Sequence, residues 1–321
     1  MDDVDTPAPA APRPSVHPRQ GLPEAVRIYE VGPRDGLQAE KVIIDTAVKL
    51  ELVQRLERAG MTTIELTSFV PPRWVPQLAD AENLMAAHAP REGVRYPVLV
   101  PNLKGLARAK AAGAREIAVV VSSTEAFAKA NFANTIDGAL DNAVAVVEAA
   151  RADGLPVRGY VSMAFGDPWE GAVAPEMPAR MAAALSAAGC TSISLGDTIG
   201  VGTAGQVADV VGAAVAAGTS LEALALHFHD TYGQALSNVL AGLEAGVTEF
   251  DASAGGLGGC PYARSATGNL ATEDLVWLLE GLGYDTGIDL DALVATSTWM
   301  AGQLGRAPVS RVVRALAQDV R

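Results

Sequence analysis

From Val26 onward, short apolar runs rich in β-branched residues alternate with longer Ala/Leu-rich stretches of helical period. The runs "VRIYEVG", "TTIELTSF", "RYPVLVP", "EIAVVVSS", "PVRGYVSMAF", "TSISLGD", "ALALHFHD" and "TEFDASA" read as eight strands. Between most of them lie segments such as "TAVKLELVQRLERAG", "NLKGLARAKAAG", "AGQVADVVGAAVAAG" and "ALSNVLAGLEAG", which read as amphipathic helices. Several end in Gly just before the next strand, a normal helix stop. Eight strand–helix units in succession predict an α/β fold, a (β/α)8 TIM barrel. A doubly wound sheet would place a glycine-rich phosphate loop after its first strand; "VGPRDGLQ" has Pro33 and Arg34 there instead. Past the eighth unit the chain runs on as "LLEGLGYDTGIDLDALVATSTWMAGQLGRAPVSRVVRAL", expected to add C-terminal helices over one mouth of the barrel. Residues 1–24, Pro/Ala-rich, are expected to form a flexible tail, and residues 25–321 one catalytic barrel domain with the helical extension from about 284.

In such a barrel, chemistry collects where strands run into the following loops. The polar residues at those ends are Arg34, Asp35, Glu65, Thr67, Ser68, Asn102, Ser122, Ser123, Ser162, Asp197, Thr198, His227, His229 and Ser253. In "LALHFHD", residues two apart leave a strand on the same side, about 6.5–7 Å along the chain. His227 and His229 therefore both face the mouth, with Phe228 turned to the helix layer. An HxH pair met at random is one core and one surface histidine; at the seventh strand end, a shared metal ion is the better reading. Asp230 either orients a ligand imidazole or caps the next helix. Asp35 comes beside the seventh and eighth strands once the barrel closes, and Asn269 lies just before the last barrel helix. Taken alone, Asn269 reads as a helix cap. Together the four form a nitrogen/oxygen set suited to Mg²⁺ or Mn²⁺, with Zn²⁺ as the alternative.

Two further stretches carry candidate chemistry. "AGGLGGCPYARSATGN" is a glycine-rich loop with Cys260 at its centre, flanked by Gly259 and Pro261 and read as exposed, a nucleophile or proton donor. Cys190, in "SAAGCTSISLGD", reads as an ordinary buried cysteine. A Cys–His nucleophilic pair is the rival chemistry, but both histidines are committed to metal here. Arg34, beside Asp35, is placed to neutralise charge developing on a substrate; a structural ion pair is the competing role. Glu30 and Glu65 either support these residues from behind or are strand-end charges in solvent.

Composition narrows the partners. Lys+Arg number 24 against Asp+Glu 37, a net charge of −13, which repels phosphate backbones and excludes general nucleic-acid binding. Two cysteines make no disulfide framework and fit a reducing compartment. The acidic start and the want of a long apolar run lead us to expect a cytoplasmic protein without a membrane segment. A homo-oligomer, taken as a dimer, is expected.

The motifs "VGPRDGLQAEK", "ELTSFVPPRWVPQLAD", "SLGDTIGVGT", "HFHDTYGQALSN" and "GLGGCPYARSATGNLATEDLVWLLEGLG" together resemble the 3-hydroxy-3-methylglutaryl-CoA lyase family. Related synthases of the metal-dependent barrel superfamily share the Arg-Asp and HxH elements but lack the "GLGGCPY" loop. The resemblance runs from about Arg27 to Gly283. It implies Asp35, His227, His229 and Asn269 as ligands of a divalent cation, Arg34 at an enolate oxygen, and Cys260 as catalytic cysteine. Glu65, Asp197 and His227 match further catalytic residues, and Gln38, Ser68 and Thr198, with Arg34, are expected to contact substrate. The implied substrate is an acyl-CoA thioester, cleaved to acetyl-CoA and acetoacetate, in leucine breakdown and ketone-body formation. The fifth strand departs from the family at Met163 and Asp167, an edge expected to line the acyl pocket. The alternatives are a lyase or aldolase for another 3-hydroxyacyl-CoA, and a catalytically silent barrel that only binds.

Overall fold

The computed structural model describes residues 12–259 and 268–317. The eight expected strands are present: β1 (Arg27–Glu30), β2 (Thr67–Ser68), β3 (Val98–Leu99), β4 (Ile117–Ser122), β5 (Val157–Ser162), β6 (Ser192–Asp197), β7 (Leu224–Phe228) and β8 (Glu249–Ala252). They run in the order β1-β8-β7-β6-β5-β4-β3-β2, every neighbouring pair parallel. The ring closes between β1 and the chain just before β2, where Glu30 N–H donates to Thr63 O (3.1 Å) and Glu65 N–H to Glu30 O (2.8 Å). This is the TIM-barrel-like α/β fold that the alternating periods predict.

Each strand is covered by the helices that follow it. These are α1 (Thr46–Arg58), α2 (Ala81–Ala87), α3 (Leu103–Ala111), α4 (Glu125–Phe132), α5 (Ile136–Ala152), α6 (Glu176–Ala188), α7 (Ala204–Ala216), α8 (Ala235–Glu244) and α9 (Thr272–Gly281). The core is the layer between strands and helices, where Leu52, Val146, Leu185, Leu226 and Phe250 are fully buried. Inside the barrel the strands present polar side chains instead. "VRGYVS", "SISLGD" and "TEFDASA" alternate, so Arg158 and Tyr160, Ser192 and Ser194, and Glu249 and Asp251 meet in the interior.

The extension forms α10 (Leu290–Leu304) and α11 (Arg311–Leu316). Both lie at the rim above β8: Ser297 of α10 bonds Glu273, and Val309 N–H reaches Gly255 O (3.3 Å). Residues 12–24 hold no helix or strand, but His17 N–H donates to Gly281 O (2.8 Å) and Tyr284 Oη to Pro23 O (2.8 Å), tying this segment to the end of α9.

Candidate active site

After β1 the chain makes one wide π-helical turn, Gly32–Gly36, in which the Val31 carbonyl accepts from the amides of both Arg34 and Gly36. The turn lies flat against the segment after β8. A Cβ on Gly36 would sit 2.8 Å from that of Leu257, so only glycine lets the two segments touch. Arg34 is thereby aimed into the mouth. Its Nε donates to Glu65 Oε2 (2.8 Å), a terminal nitrogen to Asp35 Oδ1 (2.6 Å), and its guanidinium lies 5.3 Å from the Tyr160 ring centre. Burial alone would favour a neutral Arg34, but Glu65 and then Asp35 hold it charged, well above the ordinary arginine range.

The histidines of β7 converge on the same place. One ligand atom from each of Asp35, His227 and His229 can be chosen so that all lie within 4.8 Å of one another. His227 Nδ1 is held by Asp251 Oδ2 (3.2 Å) and His229 Nδ1 by the Asp197 carbonyl (3.0 Å), which leaves Nε2 of each ring free to bind a cation. Asn269 lies alongside, paired by an antiparallel bridge to His229. Its amide nitrogen donates to Asp35 Oδ2 (2.9 Å) and Leu257 O (3.0 Å), while Oδ1 is buried without a partner. An orphaned amide oxygen beside two imidazoles and a carboxylate is a donor set that fits a divalent cation. Helix capping is not its role, since neither amide bond runs to α9.

The charges agree with that fit. Burial would raise the Asp35 carboxyl, but Arg34, the two histidines and Asn269 outweigh it and hold it at about 2. Burial and then His227 lower His229 to about 4, favouring the neutral imidazole that a metal would require. His227 moves up: burial opposes its charge, but the Asp251 hydrogen bond and carboxylate more than compensate.

Arg34, Asp35, Gln38, Thr198, His227 and His229 line one cavity of about 140 Å³. Glu65 sits behind Arg34, buried, with Oε2 also accepting from Tyr160 Oη (3.0 Å) and Oε1 unpartnered. Asp197 is placed differently. Its carboxylate accepts from the Val201 and Gly202 amides (both 2.9 Å), bracing the loop after β6, and burial lifts it to about 6. Its backbone carbonyl is the hydrogen-bond partner of His229. Ser68 is buried beneath the mouth, its Oγ accepting from Val70 N–H (3.3 Å). Cys260 lies outside the described residues; Gly259, next to it in the chain, lines the cavity.

Several open questions resolve on geometry. Asp230 caps: Oδ1 accepts from Ala235 N–H at the start of α8 (3.0 Å), and Oδ2 pairs with Arg311 (2.6 Å). Glu30 is fully buried, accepting from the Gly32 and Ala254 amides and Thr272 Oγ1, so it pins both flanking loops. Cys190 is buried, its thiol pushed up to about 12 by desolvation. Met163 and Asp167 stand behind the cavity wall. Met163 is fully buried against Phe127 and Ile199, and Asp167 is occupied by Thr124 Oγ1 and the Trp169 and Glu170 amides. The sequence reading missed Tyr160, Asp251 and Arg158. Their signal was present, because each occupies an inward position of a strand whose alternate residues are apolar.

The HMGL-like family matches residues 25–300 of this chain. The mitochondrial hydroxymethylglutaryl-CoA lyase of Arabidopsis thaliana is 50% identical over 301 residues, 94% of this chain, which spans 64% of that protein's length. The mitochondrial hydroxymethylglutaryl-CoA lyase of Gallus gallus is 48% identical over 294 residues, 92% of this chain and 98% of its own. The crystal structure of hydroxymethylglutaryl-CoA lyase from Pseudomonas aeruginosa superposes with a TM-score of 0.90 at 47% identity, covering 93% of this chain and 99% of that one.

Proposed function

The chain belongs to the HMGL-like family, and from that premise we propose that it cleaves 3-hydroxy-3-methylglutaryl-CoA to acetyl-CoA and acetoacetate. The observation that carries the reading is the meeting of Arg34 with Asp35, His227, His229 and the orphaned Asn269 oxygen at one cavity. Those four residues would hold a divalent cation, Mg²⁺ or Mn²⁺, which when bound would supply Lewis-acid polarisation of the substrate. The protein's groups do the rest. A base at the mouth takes the proton of the tertiary hydroxyl; Asp35 is the candidate, because His227, with its hydrogen on Nδ1 and Nε2 given to the cation, has no lone pair to spare. The bond between that carbon and the methylene beside the thioester breaks, its electron pair passing into the thioester as an enolate. Arg34, kept charged by two carboxylates, stands where it can meet the enolate oxygen. Cys260 returns one proton to the enolate carbon, completing acetyl-CoA.

A second cavity of about 550 Å³ shares Gln38, Leu99, Val120 and Asn131 with the first, and is the place proposed for the CoA arm. Met163 and Asp167 point into neither, so the reason to expect a different acyl group falls away. No helix among the described residues is long and apolar enough to cross a membrane; the cytoplasm is proposed from composition.

The test is a coupled acetyl-CoA release assay on chelated enzyme with and without added metal. We expect no turnover after chelation and recovery with Mg²⁺ or Mn²⁺. Full activity after thorough chelation removes the metal from the reading, and cleavage only of other 3-hydroxyacyl thioesters removes the substrate.

A further inference from the structure

Below the cavity, the barrel interior holds a buried charge cluster that meets the mouth through Asp251, which faces His227, and through Tyr160, which donates to Glu65. Arg158, on β5 and 1% exposed, gives one terminal nitrogen to Glu249 and Ser192 and the other to Asp251. Its guanidinium is stacked between Tyr29 (4.1 Å to the ring centre) and Tyr160 (5.2 Å), so it has little room to swing. Asp251 is therefore fixed from below. Its Oδ1 takes the Arg158 bond, and its Oδ2 accepts from Ser194 Oγ (2.9 Å) and faces His227 Nδ1 (3.2 Å).

We propose that Asp251, locked by Arg158 and Ser194, is the positioning residue that keeps His227 in the tautomer able to bind a metal. The argument is one of hydrogen-bond inventory. An ionised carboxylate is an acceptor only, so the ring nitrogen facing it must carry the hydrogen. A neutral imidazole has one N–H, and placing it on Nδ1 leaves the Nε2 lone pair for the cation. His229 needs no such side chain, because the Asp197 carbonyl does the same at its Nδ1. The two ligand histidines are thus oriented by different means, one by a backbone carbonyl and one by a side chain that substitution can change.

Asp251→Asn isolates the effect. The asparagine oxygen stays with Arg158, which can only donate, and the amide NH₂ then faces His227. That group donates, so Nδ1 must become the acceptor and the hydrogen moves to Nε2, where it blocks the metal. The inference rests on the metal assignment above, and its test is chosen to separate the two. Mn²⁺ binding to chelated full-length protein is measured by calorimetry or electron paramagnetic resonance, without substrate or turnover. Glu249→Gln serves as control, since it disturbs the same Arg158 cluster but not His227.

We expect Asp251→Asn to weaken Mn²⁺ binding roughly 10- to 100-fold and Glu249→Gln to leave it within about twofold. Ser194→Ala, which removes one of the two anchors of Asp251, should fall between and guards against a poorly folding Asp251 variant. Equal Mn²⁺ affinity in wild type, Asp251→Asn and Ser194→Ala overturns the proposal. Equal losses in Asp251→Asn and Glu249→Gln overturn it too, by making the effect one of general barrel stability. Wild-type protein that binds no Mn²⁺ overturns the metal assignment itself.

Discussion

The mouth and the floor of this barrel are both crowded with buried charge, yet they differ in which atoms are left over. On the floor, both terminal nitrogens of Arg158 are matched by Glu249, Asp251 and Ser192, and the orphans are Arg158 Nε and Tyr29 Oη. At the mouth the orphans include three oxygens that can only accept: Glu65 Oε1, Asn269 Oδ1 and Gln38 Oε1. Buried acceptors without donors are costly unless something positively polarised meets them. Each cluster sets one arginine against two carboxylates, so the difference lies in the leftover atoms: donors on the floor, and surplus acceptors around a cavity at the mouth, where a ligand can meet them. Asp251 is one joint between them, paired downward to Arg158 and upward to His227.

The sharpest way to break that contrast is at the floor. Arg158→Met strips the buried Asp251 of its arginine and leaves Glu249 only Arg27 at the barrel's end, and should cost roughly 3–5 kcal/mol of stability, read as a shift in the urea midpoint. A loss under about 1 kcal/mol would mean that the floor is not the closed network described. At the mouth, Arg34→Met should act chiefly on rate, lowering turnover about 100- to 1,000-fold in the acetyl-CoA release assay. Its stability loss should be smaller than that of Arg158→Met, because Asp35 is partly exposed and Glu65 keeps its bond from Tyr160. Near-normal turnover would remove Arg34 from the chemistry.

The gentlest probe lies at the rim. Glu273 is fully buried, accepting from Gly255 N–H and Ser297 Oγ, and burial, abetted by nearby Glu30, lifts its carboxyl to about 8. A carboxyl raised above its unfolded value binds a proton on folding. Its contribution is full below the ordinary value near 4.5 and is lost as pH rises towards 8. Between pH 6 and pH 7, wild type should therefore lose about 1 kcal/mol that Glu273→Gln does not. Parallel unfolding curves for the two proteins across that unit would show Glu273 already ionised inside the fold.

Much of this was legible beforehand, and the misses are specific. The strand count, the helices between and the inward pairing of His227 with His229 follow from periods of two and of 3.6. Arg34 and Asp35 were readable because the first strand ends just before them. The resemblance implied a catalytic role for Asp197; its carboxylate accepts from the amides of its own loop, a contact that no strand period encodes. Met163 and Asp167 were expected at the acyl pocket. Instead Met163 takes a left-handed conformation (φ 58°), at the end of β5, that turns it beneath the wall. Arg158 and Asp251 carried the alternation signal, but a charge inside a strand has meaning only once its partner is known.

The sequence by itself determined the barrel, its closing order and the side of the strand from which each histidine leaves. Those are consequences of local backbone geometry, which repeats whatever the chain does elsewhere. Only the tertiary structure decided what each polar atom meets: Asp35 with Asn269, 234 positions apart, Arg158 with Asp251, 93 apart, and Asp230 with Arg311, 81 apart. Such pairings exist because barrel closure brings distant strand ends onto one ring. Hydrogen bonding is short-ranged and directional, so no period in the chain encodes it. The free oxygen of Asn269 and the carboxylate facing His227 Nδ1, on which the proposed metal site rests, belong to that second kind of information.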